Sequence, residues 1–487
     1  MLPVLTVSQM NEIDAAALES SSLDVLVERA GLAVALAAMD MLGGAYGRRV
    51  VVVAGRGNNG ADGRVAASVL RRRGARLRIV EAGSGDAIGA ADLVIDAAYG
   101  TGFRGEYRAP ALVVGTPVLA VDIPSGVKGD SGEASGSPSP ASRTVTFVAL
   151  KPGLVQGQGA RLAGQVSVAD IGLPTGDPDI SVMEDGDVRA LLPPRRHAGN
   201  KWSAALLVVA GSPGMTGAAA LCARSAYRSG AGMVRLGVPG ADLSASPASE
   251  AVSVQLPAAG WSADALEAAS RCAAVVVGPG LGREEGTAAE VKRLVAESPV
   301  PVVVDADGLF ALGRVGGDDS LQARSRVVLT PHDGEYARLT GTDPGPDRIA
   351  AARRLAASSG AVALLKGPTT AVSDVAGRVL LGLSGTTALA TAGTGDVLSG
   401  VIGAMLARGM NPLEAAALAA HVHGRAGARG LAEGLMAGDL PDLVAGVLSL
   451  LESSDGPGAP GGPGQSGGPG APGGPGASGA LGAWARG

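Results

Sequence analysis

Between residues 48 and 122, short aliphatic runs alternate with stretches whose apolar positions recur at helical spacing. The runs at 50–54, 77–80, 93–97 and 118–122 are long enough for buried strands, and the rhythm predicts a parallel sheet covered by helices. Ahead of it, residues 8–42 read as helix with Ser8 as the expected cap. Edge strands at 144–150 and 165–170 follow a Gly- and Ser-rich turn at 129–142. This first domain, 1–174, closes near Pro174, and 175–190 reads as a Gly-, Pro- and Asp-rich linker. After the basic stretch Arg195, Arg196, His197 and Lys201, a second strand-helix series fills the domain 191–452. Its expected strands are 206–210, 274–278, 300–305, 327–329 and 362–365, with 379–383 as a hairpin partner; Ala-rich helices are expected at 218–229, 396–408 and 413–429. The fold class is α/β throughout. Residues 455–487 are almost wholly Gly, Pro, Ser and Ala, a composition that buries too little apolar surface to fold, so a disordered tail is expected.

Composition sharpens this picture. A chain of 487 residues fits two large units. The apolar share of 46% is mostly Ala, Val and Leu, with Phe103, Phe147 and Phe310 the only phenylalanines, so the core must be aliphatic. A net charge of −5, with Arg71, Arg72 and Arg73 as the longest basic run, argues against nucleic acid as a partner. Cys222 and Cys272 sit in apolar surroundings, which excludes a disulfide framework. No leader pattern opens the chain, and no apolar run reaches the ~18 residues a membrane span needs, so a cytoplasmic protein without a membrane partner is expected. Its Ala- and Gly-rich helices could pack against a second copy as a homo-oligomer.

Chemistry gathers at the ends of the expected strands. The first runs into Gly55, Arg56, Gly57, Asn58, Asn59, Gly60, Ala61, Asp62 and Gly63, a turn whose backbone N–H groups suit a phosphate and whose Asn and Asp oxygens suit a hydroxyl or a monovalent cation. Asp96 closes another strand, followed by Gly100, Thr101, Gly102, Phe103, Arg104, Gly105 and Glu106; Asp122 closes a third, followed by Ile123, Pro124, Ser125 and Gly126. One strand-end Asp is often a helix cap, whereas three in register point to the crevice where open α/β sheets bind ligands.

These residues resemble the N-terminal domain of the bifunctional NAD(P)H-hydrate repair enzyme family, over about residues 5–174, in a Rossmann-like three-layer fold. The resemblance implies that Asn58, Asn59, Gly60, Ala61, Asp62, Gly100, Thr101, Gly102, Phe103, Arg104, Gly105 and Glu106 line the hydrate site. It makes Asp122 the acid/base, and Asn59, Asp96 and Ser125 the ligands of a potassium ion. Ala61 stands where the family has Gly; a positive φ there would strain the loop by about 1 kcal/mol.

In the second half, Thr391, Ala392, Gly393, Thr394, Gly395 and Asp396 open a long apolar helix, forming a nest of N–H groups for a phosphate with a carboxylate beside it. The bland alternative is Asp396 as a helix-start acid. Other strand ends point the same way: Gly278 to Gly282, Asp305 to Asp307, the turn at Thr330, Pro331 and His332, and Lys366, Gly367, Pro368 and Thr369. With 211–219, this constellation resembles the ribokinase-like ADP-dependent NAD(P)H-hydrate dehydratase over about residues 191–451. That resemblance implies that Lys366, Gly367, Pro368, Thr369, Thr370 and Gly395 bind the adenine nucleotide. Ala219, Gly280, His332 and Asp396 would face the hydrate, with Asp396 catalytic and magnesium on the phosphates. His421 and His423, two residues apart on a helix, point to different faces and do not form a shared metal site. The rival reading is a ribokinase-like small-molecule kinase with a non-catalytic N-terminal binding domain.

Overall fold

The computed structural model describes residues 1–194, 199–241, 248–316 and 326–453. Arg195, Arg196, His197 and the expected tail at 455–487 lie outside the described residues. The described chain divides into two compact units, Leu5–Gly176 and a second made of Asp177–Glu452 together with Met1–Val4.

The sheet of the first unit has six parallel strands in the order Arg76–Glu81, Arg49–Ala54, Leu93–Ala97, Val118–Val121, Arg143–Phe147 and Gln165–Ala169. Period-two alternation sorts its side chains. Val50 and Val52 join the core under helices Leu23–Leu42 and Asn58–Arg72, while Val51 and Val53 face a second cluster with Val94, Tyr107 and Ala120. The single helix expected over 8–42 is two, Val7–Leu18 and Leu23–Leu42, because Ser22 accepts from Val25 N and starts a new helix. Thr6, not Ser8, caps the first, in a capping box with Gln9.

The sheet of the second unit has eleven strands, in the order Leu2–Val4, Ile180–Val182, Val379–Gly382, Thr370–Ser373, Val362–Leu365, Val327–Leu329, Val302–Val304, Ala274–Val277, Ala205–Val209, Met233–Gly237 and Val252–Val254. All neighbours run parallel except at Leu2–Val4 and around Thr370–Ser373. The stretch 175–190 is therefore no linker: Ile180–Val182 is an internal strand, and helix Asp185–Leu191 follows. Leu2–Val4 and Ile180–Val182, three residues each, carry too little periodicity to be seen in the sequence. Helix Thr394–Ala407, buried along nearly its whole length, packs on helix Gly217–Arg228 at the centre of the core. Among the described residues no helix is long and apolar enough to cross a membrane.

One topological device recurs. Arg49–Ala54 has its successor Arg76–Glu81 on one side and Leu93–Ala97 on the other, and Ala205–Val209 likewise has its successor Met233–Gly237 on one side and Ala274–Val277 on the other. Loops leaving the two inner strands then diverge, opening a crevice at their carboxyl ends.

Two candidate active sites

In the first unit, strand Arg49–Ala54 turns through Gly55, Arg56 and Gly57 into helix Asn58–Arg72. The turn is closed so tightly that a Cβ on Gly60 would lie 1.9 Å from the Gly55 carbonyl oxygen. Ala61 escapes that limit. It sits in the first helical turn, its N–H donating to the Gly57 carbonyl at 3.1 Å, and its φ is not positive. The strain that a Gly-to-Ala change could have caused is absent, because helical backbone suits any L-residue.

Asn58 is exposed and Asn59 half-buried. Asn59 Oδ1 and Asp122 Oδ2 converge on Gly100, lying 3.4 and 3.2 Å from the place a Cβ would occupy there, and Asn59 Nδ2 is buried without a hydrogen-bond partner. Beyond Gly100, Thr101 and Phe103 are half-buried and Gly102, Arg104, Gly105 and Glu106 exposed. Phe103 packs on Tyr99 with ring centroids 5.1 Å apart, and Ser135 Oγ donates to the Gly105 carbonyl at 2.6 Å.

Asp122 is held in a left-handed conformation, φ +66°, a strain of about 1–3 kcal/mol that surrounding contacts must sustain. They are visible. Its Oδ1 meets Lys151 Nζ at 2.7 Å and accepts from Thr146 Oγ1 at 3.1 Å. Lys151 donates also to Thr146 Oγ1 at 2.7 Å and to the Phe147 carbonyl at 2.9 Å, so all three ammonium protons are engaged. One carboxylate oxygen is thus anchored and the other faces the crevice at Gly100. Sequence reasoning missed Lys151 and Thr146. The available signal was a lone cation inside the apolar run 147–155, since lysine is rarely buried unless paired.

Asp62, 7% exposed, receives no hydrogen bond or ion pair among the described residues. Burial, then the neighbouring charges of Asp122 and Asp14, push its carboxyl up to about 8, so it carries a proton at neutral pH. Asp96 is buried against Ser125, whose Oγ and N–H donate to it at 2.6 and 3.0 Å. Burial raises its pKa even so, and no basic side chain among the described residues pairs with it. An uncompensated buried carboxylate beside a hydroxyl and the Tyr99 carbonyl fits a monovalent cation. Asp96 and Ser125 touch directly, whereas Asn59 stands against Asp122, across Gly100.

In the second unit, Lys366 directly follows strand Val362–Leu365 and points at Asp305, Nζ to Oδ1 2.8 Å, with Glu335 Oε2 at 3.6 Å. Ser399 Oγ donates to the other Asp305 oxygen at 2.7 Å. Burial alone would raise Asp305, but Lys366 and the hydroxyls outweigh it and hold the carboxyl below its ordinary value; the same partnership raises Lys366 against burial. Gly393, at φ +90°, turns the chain so that helix Thr394–Ala407 begins beside this pair, and a Cβ on Gly395 would be 3.6 Å from Lys366 Nζ. Asp396 lies in that first helical turn. Burial, then Asp305 and Asp307 against the pull of Lys366, bring it up to about 6.

Around this centre, Arg348 braces the 366–370 loop, bonding the Lys366 carbonyl, the Thr369 carbonyl at 3.0 Å and Asp333 at 2.9 Å. Gly367 and Pro368 are exposed, Thr369 is buried, and Thr370 Oγ1 closes the turn on the Gly367 carbonyl at 3.2 Å. Gly280, at φ +64°, accepts from Ser212 Oγ at 3.1 Å. Ala219 is fully buried, its methyl packed in the core. His332 caps helix Asp333–Thr340, its Nδ1 accepting from Gly334 and Glu335 N–H, which leaves Nε2 for the proton of the neutral ring. His421 bonds Asp185 at 2.9 Å, while His423 is buried and pushed down to about 4.

Comparison with known proteins agrees with both halves. A family described as NAD(P)H-hydrate dehydratase matches residues 206–448, and one described as YjeF-related protein N-terminus matches 23–87 and 81–153. The bifunctional NAD(P)H-hydrate repair enzyme of Moorella thermoacetica is 36% identical, over 92% of this chain and 97% of its own. Its Mycobacterium leprae counterpart is 39% identical, over 92% and 98%. A solved ribokinase-like superfamily protein of Enterococcus faecalis superposes with a TM-score of 0.50 at 21% identity, covering 57% of this chain and 98% of its own, which shows the fold of the second unit. The chain belongs to the family of bifunctional NAD(P)H-hydrate repair enzymes, its YjeF-related unit preceding a ribokinase-like dehydratase unit.

Proposed function

We propose that the first unit interconverts the R and S forms of hydrated NADH or NADPH, and that the second dehydrates the S form at the expense of ADP, giving AMP and phosphate. The observation that supports the reading is Asp396 in the first turn of helix Thr394–Ala407, whose Gly395 lies beside Lys366 Nζ. There Asp396 takes the proton of the hydrate hydroxyl as its oxygen attacks the terminal phosphoryl group of ADP. The N–H groups at 393–396 and the Lys366 ammonium stabilise the transferred charge, AMP departs, and loss of phosphate from the ring carbon together with a proton from the neighbouring carbon, released to solvent, restores the double bond. Lys366, Gly367, Pro368, Thr369, Thr370 and Gly395 hold the nucleotide; Gly280 and His332 border the hydrate. Magnesium would neutralise the phosphates. Among the described residues no group of three His, Cys, Asp or Glu is arranged for a metal, so the ion is expected on the nucleotide itself.

In the first unit, Asp122 Oδ2 exchanges the proton at the epimerised carbon, with the protonated Asp62 next to it as donor. Asn59, Asp96 and Ser125 would hold a potassium ion, which supplies fixed positive charge beside the hydrate. Lys151 keeps Asp122 in place without reaching the substrate. A water-soluble cofactor as substrate accords with a cytoplasmic enzyme.

Recovery of reduced-nicotinamide absorbance from a mixed-epimer hydrate, with ADP and magnesium, tests the reading. Complete recovery is expected. A stop at the share of one epimer would remove the first unit from the reaction, and a stable phosphate ester on a small alcohol, without recovery, would replace repair by kinase chemistry.

A further inference from the structure

A cavity of about 250 Å³ opens beside the second centre, lined among others by Arg283, Ala306, Phe310, His332, Glu335 and Arg338. It adjoins the Lys366 centre, because Glu335 Oε2 lies 3.6 Å from Lys366 Nζ. Both guanidinium groups lie over the Phe310 ring, each Cζ 4.4 Å from its centroid. The ring therefore gathers two cations that would otherwise separate. Their neutralisation is unequal. Asp307 pairs with Arg283 at 3.0 Å, whereas no carboxylate pairs with Arg338 among the described residues. Glu335 is already committed to Lys366 and to the His332 N–H, which donates to it at 2.8 Å. A guanidinium stacked on Phe310, exposed and with its fork free of carboxylates among the described residues, thus borders this half-open cavity.

Pockets that enclose a whole small ligand start at about 300 Å³, so this one takes a fragment. The fork geometry of arginine matches phosphate oxygens. In the repair reading Lys366 and the helix start at 394–396 serve the phosphoryl group in transit, and a dinucleotide hydrate brings further phosphates of its own. We propose that this cavity is a phosphate-reading subsite for the adenosine half of the dinucleotide hydrate, with Arg338 as the pairing cation and Arg283 beside it. The proposal rests on the repair reading of the second unit. The phosphate in question is either the 2′-phosphate that distinguishes NADPH from NADH or the bridging pyrophosphate common to both.

The full-length protein, with saturating ADP and magnesium to fill the nucleotide site, is titrated calorimetrically with 2′,5′-ADP, which carries both kinds of adenosine phosphate. Wild type is expected to bind, Arg338→Gln to bind at least about tenfold more weakly, and Arg338→Lys, which keeps the charge but loses the fork, to fall between them. ADP binding itself serves as the folding control. Kinetics then identify the source: a KM raised about tenfold for the NADPH hydrate alone marks the 2′-phosphate, and an equal rise for both hydrates marks the pyrophosphate. Equal 2′,5′-ADP affinity in wild type and Arg338→Gln, or an unaltered KM for both hydrates, would overturn the subsite. Wild type that binds 2′,5′-ADP through Arg338 yet regenerates neither cofactor would sink the repair reading instead, leaving the subsite standing.

Discussion

Each unit pairs a lysine with a strand-end carboxylate, and the two pairs are mirror images. In the first, the lysine is sealed: Lys151 has a side chain 2% exposed, and Asp122, 14% exposed, faces the crevice. In the second, the carboxylate is sealed: Asp305 is 2% exposed, and Lys366, 21% exposed, reaches outward. A buried ion pair costs desolvation on both sides, so the partner left at the surface is the one free to act on a ligand. A carboxylate facing the crevice suits proton exchange at carbon. An ammonium facing it suits a phosphate, and the proton chemistry then falls to a second carboxylate, Asp396, which forms no ion pair among the described residues.

The comparison breaks most readily at the acting carboxylates. Asp122→Asn is expected to lower epimerisation by about 10³-fold or more while dehydration of the S epimer continues, and Asp396→Asn to do the converse with ADP binding kept. Separate assays on resolved epimers and an ADP titration check this; loss of both reactions from either change would mean that the units do not work independently. The lysines sharpen the contrast. Lys151→Met should lower kcat for epimerisation by about 10²-fold with hydrate KM little altered, because it positions without touching substrate. Lys366→Met should instead raise KM for ADP by at least about tenfold. The same kinetic pattern in both variants would refute the mirrored roles.

Smaller effects follow from the carboxyl groups that burial has shifted. Asp396 must be ionised to accept a proton, so dehydration kcat/KM should hold above about pH 6 and fall tenfold per unit below it. A pH profile without that limb would take Asp396 out of the base role. Asp62 binds its proton more tightly in the folded state, up to about 8 from an ordinary 3.8, so it makes folding progressively less favourable as pH rises through that window. Asp62→Asn should therefore stabilise the protein by up to about 6 kcal/mol at pH 9 and by less than about 1 kcal/mol near pH 4, as read from urea melts at both.

Much of both sites was legible because their residues are contiguous. Strand-end Asp96, Asp122 and Asp305, the Asn58 to Asp62 turn and the nest at Gly393 to Asp396 each lie within one local stretch, where turn and helix-start chemistry leaves a mark in the sequence. What escaped was assembled from a distance. Lys151 sits among apolar neighbours that disguise it as core, and Arg348 reaches Asp333, Lys366 and Thr369 from a helix in another part of the chain. Arg283, Phe310 and Arg338 come together only because a loop and two separate helices meet at one place.

The alternation of apolar runs with helical spacing determined two mainly parallel α/β units, and Gly-, Asn- and Asp-rich turns marked the candidate sites, since both depend on periodicities and dihedral preferences local to the chain. Tertiary structure alone decided that Leu2–Val4 and Ile180–Val182 extend the second sheet, that Ala61 lies unstrained in a helix, and which member of each lysine–carboxylate pair is buried. Burial and pairing depend on distances between residues far apart in sequence. No local pattern encodes them until the sheet has brought its strand ends to a common edge.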